Sequence, residues 1–219
     1  MVVFETSLTW NDVLFLLQGA GTTLAITAWA MLGGTILGML FGLIRASAPW
    51  WLNAPVGFVL DILRSVPLLI PLVLASSFKS ILKLQVSAFA VGCVVLALCT
   101  AAYCAEIVRG GILAVPPTTR RAALSLGMTY TQDLTNIVFP IALRVALPSW
   151  IGLTLGVMKD SALVLWIDII ELLRASQIIV TRFQEPLFIL SIAGLIYFLM
   201  SFPIARIGAR IEKRWHEND

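Results

Sequence analysis

Long apolar runs separated by short polar stretches form the main pattern of this 219-residue chain. About 20 apolar residues cross a bilayer as a helix, because a helix satisfies all its backbone polar groups internally. Runs of this length lie at 20–45, 56–78, 84–108, 135–158 and 186–208. The second and fourth are interrupted by charges or proline, so their ends are the least defined. The pattern predicts an all-α membrane protein with about five transmembrane helices in a single domain, 1–219.

Composition supports this prediction, because 59% of the residues are hydrophobic and only 12% are charged. Soluble domains carry about 25% charged residues. A charge at the centre of a spanning helix costs about 2.5–3.5 kcal/mol on insertion scales. The basic residues are scattered rather than grouped on a polar surface, so we expect no nucleic-acid partner. The three cysteines share one apolar run without metal-ligand spacing, and we expect no metal site.

The basic residues also predict how the spans are oriented. Five spans place the two termini on opposite sides, and arginine and lysine concentrate at the flanks that lie inside if the N-terminus is outside. The polar segment 110–134 is then cytoplasmic. The outer connection 160–184 is semi-apolar, too short and charged to span, and we expect a buried or re-entrant helix that lines a cavity.

A glycine repeat in the first span predicts close helix packing. Gly34, Gly38 and Gly42 recur every four residues on one helix face, where small residues let two backbones approach. The partner is either another helix of this chain or a second subunit, and packing within the chain is the favoured interpretation.

Segment 110–134 carries more local signals than a simple connecting loop needs. The prolines at 116–117 end the preceding helix. A threonine at 118–119 is expected to cap a short helix that runs to Leu126, with Gly127 as its stop. The sequence Thr-Tyr-Thr-Gln at 129–132 has the form of a capping box for the next helix. We therefore predict a short helix rigidly joined to the fourth span.

Ala122, Ala123 and Leu126 are expected to share one face of that short helix, since residues three and four apart are neighbours. Small apolar residues beside Arg120 and Arg121 suit insertion into a groove on a partner protein. An amphipathic helix packed on its own protein or on lipid headgroups would show the same composition. The residues alone leave these two interpretations open.

Five motifs, in this order and spacing, resemble those of permease subunits in bacterial ATP-binding-cassette (ABC) importers of the polar amino acid uptake family. The short helix with its glycine resembles the family's cytoplasmic coupling loop, known for its Glu-Ala-Ala (EAA) motif. The motifs lie at 64–69 (Arg-Ser-Val-Pro-Leu-Leu), 101–112 (Ala-Ala-Tyr-Cys-Ala-Glu-Ile-Val-Arg-Gly-Gly-Ile), 122–130, 139–144 and 159–163 (Lys-Asp-Ser-Ala-Leu). The resemblance covers most of the chain.

The resemblance implies a type I importer permease fold and ATP-driven import of a polar amino acid across the bacterial inner membrane. It implies four kinds of partner besides the lipid bilayer: two ATPase subunits, a second identical or sister permease, an external amino-acid-binding protein and the amino acid itself. The chain has no phosphate-binding glycine loop and no nucleophile motif, so we expect no enzyme activity and no bound cofactor. ATP and Mg²⁺ would be bound by the partner ATPase.

The coupling residues implied by the resemblance are Thr119, Arg120, Arg121, Ala122, Ala123, Leu126, Gly127 and Met128. The chain departs from the family at Arg121, where a glutamate usually opens the Glu-Ala-Ala motif, and at 118–119, where Gly-Gln is usual. Our hypothesis is that Arg120 and Arg121 contact acidic residues on this system's own ATPase.

Charges in or near the bilayer are candidates for the substrate pathway. These candidates are Arg64, Lys159, Asp160 and Ser161. Asp160 could accept from a substrate ammonium group, and Arg64 or helix N-termini could donate to its carboxylate. Glu106 and Arg109, three residues apart on one helix, are expected to form a structural pair.

Two other classes of function stay open on the residues alone. A stand-alone secondary transporter or channel would transport without an ATPase. A non-transporting scaffold would bind a cytoplasmic enzyme without substrate flux. The coupling-loop motif argues against both, because neither class requires it.

Overall fold

The computed structural model describes residues 8–216, which form helices and connecting segments without a β-strand. The α-helices within that range are α1 Trp10–Ser47, α2 Trp50–Ser65, α3 Leu69–Ile81, α4 Ala88–Leu113, α5 Pro117–Ser125, α6 Tyr130–Asp133, α7 Phe139–Asp160, α8 Leu172–Phe183 and α9 Pro186–His216. A π-helical segment, Leu134–Val138, joins α6 to α7, and a 3-10 helix, Ser161–Ile167, follows α7. The all-α class is as predicted.

Four helical stretches are long and apolar enough to cross a bilayer: α1, α4, α9 and the continuous stretch Tyr130–Ile167. The pair α2 and α3 supplies a fifth, but it is bent by 100°. The predicted span 56–78 therefore corresponds to two helices rather than one. Pro67 cannot donate a backbone hydrogen bond and disfavours helical geometry at Val66, which adopts an extended conformation.

The first helix begins about ten residues earlier than the predicted span 20–45. Thr9 starts α1 with a capping box, in which its backbone N–H and its hydroxyl donate to the Asp12 carboxylate at 3.0 and 2.8 Å. This box satisfies backbone groups that a helix end leaves exposed. The apolar run at 20–45 does not contain this capping signal, because the run starts only after the polar first turns of α1.

The most extensive helix packing joins α1 to α4 along the glycine repeat. A Cβ atom on Gly38 would lie 2.5 Å from the Cβ atom of Cys104, and one on Gly34 would lie equally close to the Thr100 side chain. Side chains at these positions would keep the two backbones apart. The favoured interpretation, packing within the chain, is confirmed.

Three apolar clusters form the core of residues 8–216, and the smallest joins α2 to α4 through Leu60, Ala102 and Ala105. The first joins α1, α3, α4, α7 and the 3-10 helix through fully buried side chains that include Ile26, Leu72 and Val164. The second joins α1, α8 and α9 and includes Leu16 and Ile179. The connection 160–184 thus contains the 3-10 helix and α8, both packed into the core.

Glu171 is the N-cap of α8 and lies beside the second cluster. Its fully buried carboxylate accepts backbone N–H bonds from Leu173 at 2.8 Å and Arg174 at 2.7 Å. The hydroxyl of Tyr197 on α9 donates to the same carboxylate at 2.9 Å, and the hydroxyl of Thr23 on α1 lies at 3.5 Å. One buried acid therefore connects three helices, and its hydrogen bonds offset the cost of burying it.

Candidate functional site

The predicted coupling helix is α5, and it begins at Pro117 rather than after a threonine cap. The fixed φ of proline suits the first helical position, where a missing backbone N–H costs nothing. The threonines at 118–119 therefore lie inside the first turn, and the predicted cap at those positions is wrong. Pro116, in extended conformation, occupies the cap position instead.

The end of α5 is a complete Schellman motif. Gly127 adopts a positive φ of 85°, and its N–H donates to the carbonyl of Leu124 at 3.0 Å. The N–H of Met128 donates to the carbonyl of Ala123 at 3.2 Å. This pair of bonds satisfies carbonyls that the helix end leaves open, and it requires a residue that tolerates the left-handed conformation. Gly127 therefore stops α5, as predicted.

The capping box predicted for the next helix is present at α6. The backbone N–H of Thr129 donates to the Gln132 side-chain oxygen at 2.8 Å, and the Gln132 N–H donates to the Thr129 hydroxyl at 3.3 Å. Only Gly127 and Met128 lie between the α5 C-cap and this box. The last turn of α5, before Gly127, and the first turn of α6, after it, are thus both held by hydrogen bonds.

An ion pair that the sequence did not indicate holds α5 against α6. The Nε and Nη2 atoms of Arg120 donate to Oδ2 of Asp133 at 2.9 and 2.6 Å, and Asp133 is fully buried. Hydrogen bonding to this carboxylate raises the pKa of the Arg120 guanidinium. The hypothesis that Arg120 contacts a partner ATPase is therefore revised, because its guanidinium is engaged within the chain. Arg121 is exposed.

Exposure along α5 separates residues that were expected to share a face. Ala123 is only 5% exposed, because the ion pair turns its side of α5 toward the chain's own helices. Ala122, Arg121 and Leu126 are exposed, the last at 86%. The surface available to a partner therefore includes these three residues and the exposed Leu124 and Ser125, without Ala123. Leu126 and Leu124, 86% and 46% exposed, are the large apolar side chains of this surface.

A cavity of about 250 Å³ lies between the α2–α3 corner, α4 and α7. Its walls comprise Leu63, Val66 and Leu68 at the corner, Leu96, Cys99, Thr100 and Tyr103 on α4, and Leu153, Gly156, Val157 and Asp160 on α7. The walls are mostly apolar, and Asp160 is the acidic group among these residues. Such a mixture, apolar walls with a few placed polar groups, is typical of ligand sites.

The four predicted pathway residues are not brought together. Asp160 lies in the cavity wall, whereas Arg64, Lys159 and Ser161 are not among the wall residues within 8–216. The Ser161 hydroxyl is buried and donates to the Met158 carbonyl at 2.8 Å. Lys159, the residue before Asp160, is exposed and is not a wall residue, because successive positions of a helix point in different directions.

Arg64 belongs instead to a charged cluster around Glu106. Arg109 donates to Glu106 through Nε at 3.1 Å, as the predicted pair requires. Guanidinium nitrogens of Arg45 on α1 and Arg64 on α2 each lie 3.9 Å from a Glu106 oxygen, and Arg64 also binds Asp61 at 2.5 Å. The pair is thus part of a five-residue cluster that joins three helices.

Sequence reasoning missed Tyr103 and Asp133. Tyr103 lies in the cavity wall, and its hydroxyl donates to the Arg64 carbonyl at 3.2 Å, at the end of α2. A tyrosine in the apolar run before Glu106 was the available signal, because a phenol buried in a membrane needs a partner. Asp133 gave no such signal, since an acid near a helix start is ordinarily explained by the helix dipole.

Comparison with known families gives a match over most of the chain. Residues 34–217 match the family described as binding-protein-dependent transport system inner membrane component. An octopine transport system permease protein of Rhizobium radiobacter is 31% identical over 218 residues, which cover 95% of this chain and 89% of that protein. A glutamine transport system permease protein of Escherichia coli K12 is 28% identical over 96% of this chain and 97% of that protein.

Solved structures show the same fold. An amino acid ABC transporter crystallised with histidines has a chain that superposes with a TM-score of 0.84 at 27% identity, covering 95% of this chain and 99% of that one. The methionine ABC transporter MetNI, in an inward-facing conformation, gives a TM-score of 0.81 at 20% identity, with 94% and 99% coverage. The second likeness is one of fold alone.

Proposed function

Because the chain belongs to the family of binding-protein-dependent transport system inner membrane components, we propose that it is the permease subunit of an ABC importer for a polar amino acid. The importer acts in the bacterial inner membrane, with the N-terminus of this chain outside and α5 in the cytoplasm. The relatives that transport glutamine or octopine, and the solved amino acid transporter, support this substrate class.

The observation that carries the proposal is the construction of segment 117–133. A nine-residue helix is closed by a Schellman motif, followed at once by a capping box, and clamped by the Arg120–Asp133 pair. A connecting loop needs none of these devices. A surface that transmits movement to another protein must keep its conformation. The Schellman motif, the capping box and the ion pair each restrain this segment.

The exposed side of α5 would dock into a groove on the ATPase. Leu126 and Ala122 would fill an apolar pocket, and Arg121 would pair with an acidic residue at its edge. Two ATPase subunits, a second permease subunit and an external binding protein complete the assembly. ATP and Mg²⁺ bind to the ATPase subunits, and ATP-driven closure of their dimer moves α5 as a rigid body.

The cavity is the proposed substrate position on the pathway. Asp160 would accept from the substrate ammonium, and the N-terminus of α3, which begins beside the cavity residues Val66 and Leu68, would donate to its carboxylate. We do not assign Arg64 as that donor, because two of its guanidinium nitrogens contact Glu106 and Asp61. The remaining apolar wall would surround the side chain of the amino acid.

Reconstitution tests the proposal. The chain is placed in vesicles with its ATPase, any sister permease and its binding protein, and uptake of a panel of radiolabelled amino acids is measured with and without ATP. We expect ATP-dependent uptake of one polar class. Uptake without the ATPase would identify a stand-alone transporter, and stable assembly without any flux would identify a scaffold. Either result would overturn the proposal.

A further inference from the structure

Two contacts join the inner part of α4 to the corner between α2 and α3. The Tyr103 hydroxyl donates to the Arg64 carbonyl at 3.2 Å, the last carbonyl but one of α2. One turn further along α4, Glu106 lies 3.9 Å from the guanidinium of the same arginine. The backbone and the side chain of Arg64 are thus both held by α4.

The corner held in this way forms one wall of the cavity. Leu63 precedes Arg64, and Val66 and Leu68 follow it within four residues; all three are wall residues. Because Pro67 breaks the helix there, no continuous α2–α3 hydrogen-bond ladder fixes the corner. Its position depends on contacts with its neighbours, and α4 supplies the polar ones.

The other end of α4 leads to the coupling segment. The helix ends at Leu113, and only residues 114–116 separate it from α5. A displacement of α5 therefore reaches the Glu106 turn through one continuous helix. Glu106 is also the only member of the cluster whose carboxylate lies near three guanidiniums, those of Arg45, Arg64 and Arg109, within residues 8–216.

We propose that Glu106 is a positioning residue that couples movement of α5 to the cavity wall at the α2–α3 corner. The proposal rests on the importer function proposed above and adds a route within the chain. When α4 moves with α5, the Glu106 carboxylate draws the Arg64 guanidinium and the corner with it. Arg45 lies on α1 and extends the same link to that helix. Gly57 on α2 has no side chain and so leaves room for the Arg45 guanidinium.

The contacts of Glu106 with the two arginines suggest a variant that removes the charge and little else. At 3.9 Å, the Glu106–Arg64 and Glu106–Arg45 contacts are longer than hydrogen bonds and depend on charge. Glu106→Gln keeps the shape of the side chain and an acceptor for Arg109 but removes that charge. Asp61→Asn is the matched control, because Asp61 binds the same Arg64 from within α2 and does not bridge to α4.

The experiment measures amino acid uptake and ATP hydrolysis in the same vesicles containing the complete importer. We expect Glu106→Gln to keep hydrolysing ATP while the ratio of uptake to hydrolysis falls about fivefold or more. Asp61→Asn should keep the wild-type ratio. The double variant Glu106→Gln with Arg64→Gln should be no worse than the worse single variant, because the two residues act as one link.

An unchanged ratio in Glu106→Gln, or an equal fall in both Glu106→Gln and Asp61→Asn, would overturn the inference. If Glu106→Gln does not assemble, Arg64→Gln applies the same test from the other end of the link, and an unchanged ratio there would also overturn it. A wild-type complex without ATP-dependent uptake would contradict the proposed function itself, which is a separate result.

Discussion

At the scale of single residues, adjacent charged residues have different surroundings. Arg120 binds a buried aspartate, whereas Arg121 is exposed on the same turn. Asp160 lies in the cavity wall, and Lys159 beside it does not. A helix advances 100° per residue, so adjacent positions face different environments. Motif membership alone therefore does not assign a role to a residue.

Asp160→Ala is expected to reduce amino acid uptake by about tenfold, because a partly exposed carboxylate that binds the proposed substrate ammonium contributes about 1.4 kcal/mol. Assembly with the ATPase should be unchanged. Lys159→Ala is the control and should transport at nearly the wild-type rate. Uptake assays in vesicles, with co-purification of the ATPase, make the measurement. Wild-type uptake by the Asp160 variant would remove it from the substrate pathway.

Arg121→Glu is expected to weaken co-purification with the ATPase by about tenfold, since it reverses a charge at the proposed docking surface. The permease itself should fold normally, because Arg121 is exposed. The affinity between the purified permease and the purified ATPase, measured at low and high salt, tests the effect of the charge on binding. Equal affinity of the variant and the wild type at low salt would show that Arg121 does not contact the ATPase.

At the scale of elements, segment 117–133 is organised by its own hydrogen bonds more than by packing. Its helix start, glycine stop and capping box all lie within 17 consecutive positions, and the Arg120–Asp133 pair closes the segment on itself. A π-helical segment follows and continues directly into α7. The chain is therefore helical from Tyr130 to Ile167, and α5 has short connections both to this stretch and to α4.

Gly127→Ala is expected to loosen this segment, because a side chain in the left-handed conformation costs about 1–2 kcal/mol. A Cβ atom at Gly127 would meet nothing within 4 Å, so the cost is one of backbone conformation alone. Amide hydrogen exchange over 117–133 should accelerate roughly tenfold. Gly110→Ala, also in open space but helical, should not accelerate it. Similar exchange in the two variants would contradict the explanation.

Arg120→Met is expected to open the same segment by roughly 3 kcal/mol, because it leaves the fully buried Asp133 carboxylate without its counter-charge. The second change Asp133→Leu should restore most of the hydrogen-exchange protection, since it removes the unpaired charge. If the double variant exchanges as fast as Arg120→Met, the charge explanation is wrong and the arginine acts through packing.

At the scale of the whole molecule, the α1–α4 contact is the axis to which the other helices attach. Three glycines let the two backbones approach, and the cavity, the charged cluster and the Glu171 junction each involve one or both of these helices. The cluster and the cavity share the α2–α3 corner. The charged cluster and the cavity therefore both include residues of α4 and of α2 beside the corner.

Gly38→Ala is expected to lower the thermal unfolding midpoint of the detergent-solubilised protein, because its Cβ atom would lie 2.5 Å from Cys104 and 3.0 Å from the Ala101 carbonyl oxygen. Overpacking of this kind costs about 1–3 kcal/mol. Gly21→Ala, on the same helix but with nothing within 4 Å, should leave the midpoint unchanged or raise it. An unchanged midpoint in Gly38→Ala would show that the contact can relax.

The helical class, four of the five spans, the glycine stop and the 129–132 capping box could be predicted from the chain because they depend on local physics. Apolar length, the glycine stop and the 129–132 capping box each act over a few residues. The start of α5 was placed wrongly because proline at a first helical position and threonine at a cap give overlapping signals at 116–119.

Only the tertiary structure decided which residues meet across the fold. It paired Arg120 with Asp133, buried Ala123, and placed Asp160 but not Arg64 in the cavity wall. These outcomes depend on the rotation of each helix and on residues distant in the chain. Hydrophobic patterning restricts that rotation weakly in a membrane, because lipid and protein are both apolar and both faces of a helix are apolar in sequence.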